Sequence, residues 1–534
     1  MQTAPVTPPL GQSSTVTVGA TQRRLAGAAA IIATGNVLSR GLGLVRDIVI
    51  ASIFGATTGT DAFFFARLVP QNLYDLLVGT VSTAAFVPVF VQHARDERQF
   101  WRLVGAIFSL AGLAFVTLAV ALAVFAEPLV NVIGQGFSSE QARQLSINLM
   151  RIALVSVVFQ GLAGVLTSAL YAQNRFALPA FATTAYNLGI IVGVVLLAQP
   201  LGYQALPVGL ILGALAQFGL QALGLRDFWR VYRPHLDLTD PAVRRILSLA
   251  GTVAAGLVVT IIGSLIDVNL ALRLSEGNYT SMQYATRIIQ FPLGIVGLAV
   301  SYAILPTLSR FNPGGGGSLS EYRDALAFGI KLVLLLMLPA LAIVAALSQP
   351  IVAVVFERNA FQPADTIRTA QIFLFYAPQL PFTAIDYLLI NAFYARQNAR
   401  APVLVGVVCV CIYLLVALGT IGTLGARGLA LANAVQNSSH ALILLWLLQR
   451  SLPGLRLGDA LMPFLVRVLP AAALVCGSLL LGWPLLSHLG GLIGLVAAGM
   501  LATLVYVAAL LVLRVDEVHA AIALVRSSVR ARLT

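Results

Sequence analysis

Between residues 332 and 347 the chain reads LVLLLMLPALAIVAAL, a run with no charge and no hydrogen-bonding side chain. Wound into a helix, such a run is apolar on every face and has no side to turn toward water. Similar runs recur along the chain. Only 10% of the 534 residues are charged, where a soluble domain carries roughly 25%, and the mean hydropathy is +0.90. A helix needs roughly 20 apolar residues to cross a bilayer, so fourteen crossings would occupy about 280 residues. The composition points to an all-α polytopic membrane protein. A transmembrane barrel would alternate apolar and polar residues, which these runs do not.

Apolar windows between polar breaks place spans near 26–54, 62–92, 103–126, 144–172, 178–198 and 206–224. A second set falls near 246–273, 281–309, 322–348, 367–393, 402–421 and 427–449, and a last pair near 463–486 and 489–513. Arginine placement supports fourteen. Alternate connections hold Arg23 and Arg24; Arg95, Arg98 and Arg102; Arg175; and Arg226, Arg230, Arg233, Arg244 and Arg245. The connections between them are sparse. Positive charge accumulates on cytoplasmic loops, so both termini are expected in the cytoplasm. The net charge of +13 is then explained by topology and anionic membrane lipid, without nucleic acid. Residues 1–25 are rich in Thr, Pro, Gly and Ser and contain no apolar run, which predicts a disordered N-terminus without a cleavable signal.

The chain repeats itself. Ala169-Leu170-Tyr171-Ala172 with Pro179 returns as Ala392-Phe393-Tyr394-Ala395 with Pro402, 223 residues later. Pro128-Leu129-Val130 returns as Pro350-Ile351-Val352. An offset of six spans keeps orientation, so the expected plan is two six-helix lobes, 26–224 and 246–449, in parallel pseudo-twofold repeat. They are joined by a cytoplasmic loop, 225–245, and followed by a helix pair within 450–513. Val518, Ile522, Val525 and Val529 lie opposite Arg526 and Arg530, which makes 514–534 an amphipathic cytoplasmic tail.

A charge at the centre of a membrane helix costs about 2.5–3.5 kcal/mol on the lenient insertion scale. The first span nevertheless contains Arg40, Arg46 and Asp47, with Gly41 and Gly43 between the arginines as a candidate hinge. Asp267, Arg287 and Asp386 lie in later spans. Structural pairing, Arg46 with Asp47 or Asp61, is one reading. Guanidinium groups facing a cleft between two lobes suit a phosphate-bearing substrate instead, because they bind it through a bidentate fork. An enzyme is not expected: no GxxxxGK[ST] loop, HExxH helix or soluble nucleotide domain is present. Cys409, Cys411 and Cys476 lie inside apolar runs, and the five histidines have no ligand spacing, so no metal site is expected.

The run Ser39-Arg40-x-Leu42-Gly43-x-x-Arg46-Asp47, followed by Phe54-Gly55-Ala56, Thr60-Asp61-Ala62-Phe63-Phe64 and Ala85-Phe86-Val87-Pro88, resembles the MurJ (MviN) family of lipid II flippases. Asn174-Arg175-Phe176, Tyr284-Ala285-x-Arg287 and Phe393-Tyr394-Ala395-Arg396 extend the resemblance over about residues 30–440. It implies the flippase fold of the MOP superfamily, with two lobes around a cavity and two terminal helices forming a lipid-tail groove. It also implies alternating access that moves the undecaprenyl-diphosphate-linked peptidoglycan precursor to the outer leaflet of the bacterial inner membrane. The family's role is in cell-wall biogenesis and cell shape, with contacts to the cell-wall synthesis machinery. Membrane potential, or sodium or proton coupling, would supply the energy in place of a cofactor. Residue by residue, Arg40, Arg46 and Arg287 match cavity arginines, and Asp61 matches an acidic position at the external end of the first helix. Asp267 is the candidate for ion coupling.

The chain departs from the family where many members carry a basic pair and then Glu-Gly: Tyr74 and Asp75, then Gly79 and Thr80, stand there. Arg67, two turns before Tyr74, is the candidate that compensates. The departure keeps open another lipid-linked glycan as substrate. A cation-coupled multidrug exporter of the same superfamily is a further alternative, disfavoured because arginines outnumber carboxylates in the expected cavity.

Overall fold

The structure, a computed structural model, describes residues 13–137, 139–309, 318–452, 455, 457–515 and 517. Among them are twenty α-helices and no strand. The first half of the chain holds α1 (Ser13–Phe54), α2 (Thr58–Ala66), α3 (Leu68–Tyr74), α4 (Val87–His93), α5 (Glu97–Val124), α6 (Ala126–Ile133), α7 (Glu140–Ala172), α8 (Ala177–Leu201), α9 (Ala205–Gly224) and α10 (Arg226–Val231). The second half holds α11 (Pro241–Leu272), α12 (Asn278–Pro292), α13 (Leu298–Ser309), α14 (Leu319–Phe356), α15 (Pro363–Tyr376), α16 (Gln379–Ala395), α17 (Arg400–Leu424), α18 (Ala426–Ser451), α19 (Leu457–Leu486) and α20 (Gly491–Val512). Because α1 begins at Ser13, residues 13–25 are helical where composition predicts disorder. The amphipathic tail lies outside the described residues apart from Arg514, Val515 and Glu517.

The polytopic all-α class is met. Among the described residues, eight helical segments are long and apolar enough to cross a membrane, nine if the bent pair α15 and α16, 47° apart, counts as one span. Length and apolarity alone do not fix the number at fourteen: one of the eight segments, Ala177–Gly224, takes in both α8 and α9, and two expected spans are interrupted by π-helical stretches. The span 62–92 divides into α2, α3, a π-helical stretch Asp75–Phe86 and α4. The span 281–309 is widened by a π-helical stretch Leu293–Gly297 directly after Pro292, whose ring removes a backbone donor and disturbs the ladder. Both interruptions fall in the second expected span of a repeat.

The backbone carries the repeat independently of the side chains. Asn174 and Gln397, 223 residues apart, both take left-handed φ, +59° and +56°. Each closes the end of a helix in the same way: Arg175 N–H donates to the Leu170 carbonyl, and Asn398 N–H to that of Phe393. Gly202 and Gly425, at the same offset, have φ of +56° and +57°. They turn α8 into α9 and α17 into α18.

By contact, the chain forms two compact units. One comprises the chain up to Val49, Ala66–Leu129 and Leu145–Val258; the other comprises Ile50–Phe65, Val130–Gln144 and Val259–Thr534. The expected boundary at the 225–245 loop is therefore not the boundary of packing. In the first unit, α8 and α9 meet through Gly189 and Gly193 against Gly209 and Gly213: a Cβ at Gly189 would lie 2.7 Å from the Gly213 Cα. Two small-xxx-small stripes facing each other let backbones approach closely, the usual way helices associate where lipid is as apolar as the side chains. A second core in this unit gathers Phe100, Trp101, Phe108 and Phe228 around edge-to-face and tilted ring contacts of 4.8–5.7 Å. In the second unit, Tyr284, Phe356 and Phe361 are fully buried and in mutual ring contact, Tyr284 stacked on Phe356 and edge-to-face with Phe361. There α19 and α20 pack on α14, where Tyr506 Oη donates to the Leu335 carbonyl at 2.9 Å.

Candidate functional site

Arg40, Arg46 and Arg67 belong to the first unit, and Asp61, Asp267 and Arg287 to the second. Arg46 is buried at 4% exposure beside Asp47 at 2%. Its Nε donates to Asp47 Oδ1 at 2.9 Å, Nη2 lies 2.7 Å from the same oxygen, and Nη1 donates to Asn187 Oδ1 at 3.0 Å on α8. Asn187 in turn donates to the Ser39 carbonyl at 3.1 Å, which clamps α1 to α8. Of the two readings of Arg46, the paired one describes this geometry. Arg40, one and a half turns earlier, is half-buried.

The helix between them is continuous through Gly41 and Gly43. No atom lies within 4 Å of a Cβ built at Gly41, whereas one at Gly43 would be 3.7 Å from Asn187 Nδ2. The open side of α1 is therefore the side of Gly41.

Arg67 does not stand alone either. Its Nη2 donates to Gln71 Oε1 at 3.1 Å, and Gln71 Nε2 donates to Asp75 Oδ1 at 3.0 Å. This relay along one helical face absorbs Asp75, one of the residues that replaces the expected basic pair. The other, Tyr74, stacks on Tyr186 with centroids 6.0 Å apart and planes 9° apart. Both Arg46 and Arg67 act electrostatically on the Tyr186 hydroxyl, which Gln160 also contacts at 3.3 Å. Arg46 and Arg67 thus belong to the electrostatic surroundings of Tyr186, while their hydrogen bonds go to Asp47 and Asn187 and to Gln71. The sequence named both arginines but missed Tyr186, Asn187 and Gln160. Their polarity within an otherwise apolar span was the available signal.

In the second unit Asp61 does different work from that expected of a substrate contact. It is buried and accepts from the N–H groups of Gly277 and Thr280, both at 2.7 Å, and from Thr280 Oγ1 at 2.6 Å. The first turn of a helix leaves its N–H groups without partners, and Asp61 satisfies two of those of α12 from a neighbouring element. Arg368, which sequence reasoning passed over, completes the cluster. It donates to the carbonyls of Glu276 at 2.7 Å and Ala56 at 3.2 Å, to Ser281 Oγ at 3.1 Å, and to Asp365. In the loop before α12, the Glu276 carboxylate accepts the Thr58 N–H at 2.8 Å, and that backbone hydrogen bond holds its pKa below the usual range.

Arg287 is half-buried on α12 and donates to Gln290 at 3.4 Å. Asp267 receives hydrogen bonds on Oδ1 from the Tyr413 hydroxyl of α17 and from Asn433 Nδ2 of α18, the latter at 3.2 Å. Asn433 Nδ2 also donates to the Leu429 carbonyl at 3.3 Å, so the amide turns its hydrogens toward the carboxylate. A sodium ion needs oxygen lone pairs directed at it, and here both partners of Asp267 present hydrogens. As arranged, the residues around Asp267 do not fit a sodium site. Among the described residues no group of three or more His, Cys, Asp or Glu side chains could hold a metal ion.

Arginines held inside apolar helices, a backbone that repeats at an offset of 223 residues and an appended helix pair on α14 define a polytopic all-α membrane fold. Among solved structures, one described as "Lipid II flippase MurJ, inward closed conformation" superposes with a TM-score of 0.75 at 21% identity, covering 90% of this chain and 98% of the other. An inward-facing multidrug resistance MATE transporter of the MOP superfamily gives 0.64 at 14% identity, covering 77% and 93%. At these identities the likeness establishes the fold alone. The sequence profile of the family described as "Lipid II flippase MurJ" matches residues 50–501, and the chain belongs to that family. A "Probable lipid II flippase MurJ" of Haemophilus influenzae is 29% identical over 392 residues, covering 70% of this chain and 76% of its own.

Proposed function

We propose that this chain moves lipid II, the undecaprenyl-diphosphate-linked peptidoglycan precursor, from the inner to the outer leaflet by alternating access. The family match over residues 50–501 carries the reading, and the chain's own chemistry supports it: Arg40, half-buried on α1, and Arg287, half-buried on α12, are guanidinium groups of the kind that holds a diphosphate. Such a protein is a transporter and not a catalyst. Its place is the bacterial inner membrane, with both termini in the cytoplasm, where anionic lipid neutralises the basic loops and cell-wall synthesis enzymes receive the product. The membrane potential or a proton gradient drives it, since the donors around Asp267 do not favour sodium. The outer face of α19 and α20, where Leu481 and Leu485 are 86% and 75% exposed, would accept the polyprenyl tail.

A second reading, another lipid-linked glycan, rests on Tyr74 and Asp75, which stand where the family resemblance leads one to expect a basic pair, with Tyr74 stacked on Tyr186 and Asp75 hydrogen-bonded by Gln71. Complementation of a flippase-depleted strain, with lipid II translocation measured in the same cells, separates the two. Rescue by the native chain and its loss in Arg40→Ala and Arg287→Ala, at unchanged protein level, is expected. Failure of the native chain to rescue, or full rescue by both variants, would reject the lipid II assignment or the arginine site, respectively.

A further inference from the structure

One pair of ionisable side chains inside the second unit has no part in this transport reading. Asp386 lies near the middle of α16 and His440 near the middle of α18, each with 15% of its side chain exposed. His440 Nδ1 is 2.7 Å from Asp386 Oδ1, and Nε2 is 3.1 Å from the backbone carbonyl oxygen of Pro402 on α17. A Cβ at Gly406 would lie 3.9 Å from the same Nε2, so the ring rests against bare backbone of α17.

Neutral imidazole has one N–H, and neither an ionised carboxylate nor a backbone carbonyl has a proton to give. A neutral ring beside an ionised Asp386 would therefore set a lone pair against a lone pair at one of its two close contacts. One additional proton resolves both contacts. It can sit on the ring, which then donates to both oxygens, or on Asp386, which then donates to Nδ1 while Nε2–H donates to Pro402. Either way the pair carries no net charge, the condition that burial favours.

We propose that Asp386 and His440 form a proton-binding site that holds one proton at neutral pH and ties α16, α17 and α18 together while it is loaded. The groups that face the pair leave it self-contained. From α17 comes the buried thiol of Cys409, in electrostatic contact with Asp386. On α18 itself Asn437 is engaged with Gln379 of α16, and Asn433 with Asp267. From α15, Tyr376 is directed to Thr286 of α12 and toward Asp267. Among the described residues, no arginine or lysine contributes to the electrostatics of either partner. Asn433, Asn437 and His440 fall at i, i+4 and i+7, on one face of α18, and this polar stripe is the kind of feature that marks a proton route through apolar helices. The proposal does not depend on which lipid is carried.

Nitrogen-15 NMR of the full chain, labelled at its histidine rings and held in lipid nanodiscs at neutral pH, tests it. The His440 signals are those lost in His440→Gln. Expected in the native protein are two hydrogen-bonded ring nitrogens, either both protonated or one of them accepting from Asp386, and in Asp386→Leu, which offers neither donor nor acceptor, one nitrogen with no hydrogen bond. Asp386→Glu, which keeps the carboxyl group, should retain the native pattern. A nitrogen with no hydrogen bond in the native spectrum would overturn the proposal, as would a pattern unchanged in Asp386→Leu. If Asp386→Leu does not accumulate in folded form, the native spectrum decides alone.

Discussion

Arg46 and Arg40 look equivalent in the sequence, two arginines six residues apart in one apolar helix. Their surroundings make them different. Arg46 is sealed against Asp47 and Asn187, so removing its guanidinium leaves Asp47 buried without that counter-charge, a loss that typically costs about 3–5 kcal/mol. Arg46→Ala is expected to lower the thermal midpoint of the purified protein strongly, and Arg46→Ala combined with Asp47→Ala to recover much of it. Arg40→Ala, at a half-buried position, should leave the midpoint nearly unchanged while abolishing transport. Equal midpoints for the two single variants would show that the Arg46–Asp47 pair holds nothing together. Asp61 teaches the same lesson in the opposite direction. Its family position invites a substrate role, but its three hydrogen bonds all go to Gly277 and Thr280, more than two hundred residues away. No local pattern announces such a partner.

At the scale of elements, most of the architecture was legible because membrane helices declare themselves by composition and the repeat by recurring residues. Pro179 and Pro402 marked the same place in each half, and the left-handed Asn174 and Gln397 sit five residues before them. These two matched in conformation while differing in identity, which is why the sequence comparison did not use them. What stayed hidden was pairing between helices. Tyr413 and Asn433 reach Asp267 across 146 and 166 residues, and His440 reaches Asp386 across 54. Such contacts depend on helix rotation, which uniformly apolar spans do not encode through an amphipathic stripe.

Glycine stripes can encode it, and the α8–α9 hairpin is the test. A Cβ at Gly213 would come within 2.5 Å of the Tyr186 carbonyl oxygen and 2.8 Å of Ile190. Backbone at that distance cannot yield as a flexible side chain would. Gly213→Val is expected to pry the hairpin apart and displace Tyr186, reducing folded protein in the membrane. Gly219→Val, on the same helix with no atom within 4 Å of its Cβ, should be tolerated, since valine has a slightly better helix propensity than glycine. Size-exclusion profiles of the two variants decide the matter: if both are monodisperse at native yield, close backbone packing is not what holds α8 to α9.

For the whole molecule, the decisive question is what the last two helices add. They follow both halves of the repeat and dock on α14, burying Phe464, Val468, Val475 and Ala498. Two polar ties reinforce the docking, Tyr506 to the Leu335 carbonyl at 2.9 Å and Lys331 to Glu517 at 2.7 Å. In water, removing such a pair would expose an apolar face and unfold the remainder. In a bilayer the uncovered face of α14 meets lipid tails as apolar as the helices it loses, so the penalty is confined to packing and the two ties. A chain truncated after Leu452 is therefore expected to insert and fold. It should still bind a soluble diphosphate headgroup analogue, because Arg40 and Arg287, the groups proposed to hold it, both remain. Translocation of the complete lipid should fail, because the polyprenyl tail has lost its apolar seat. Measuring both quantities on the same reconstituted protein separates the possibilities. Translocation at the native rate would mean that α19 and α20 serve only as packing, whereas loss of headgroup binding would mean that they shape the core itself.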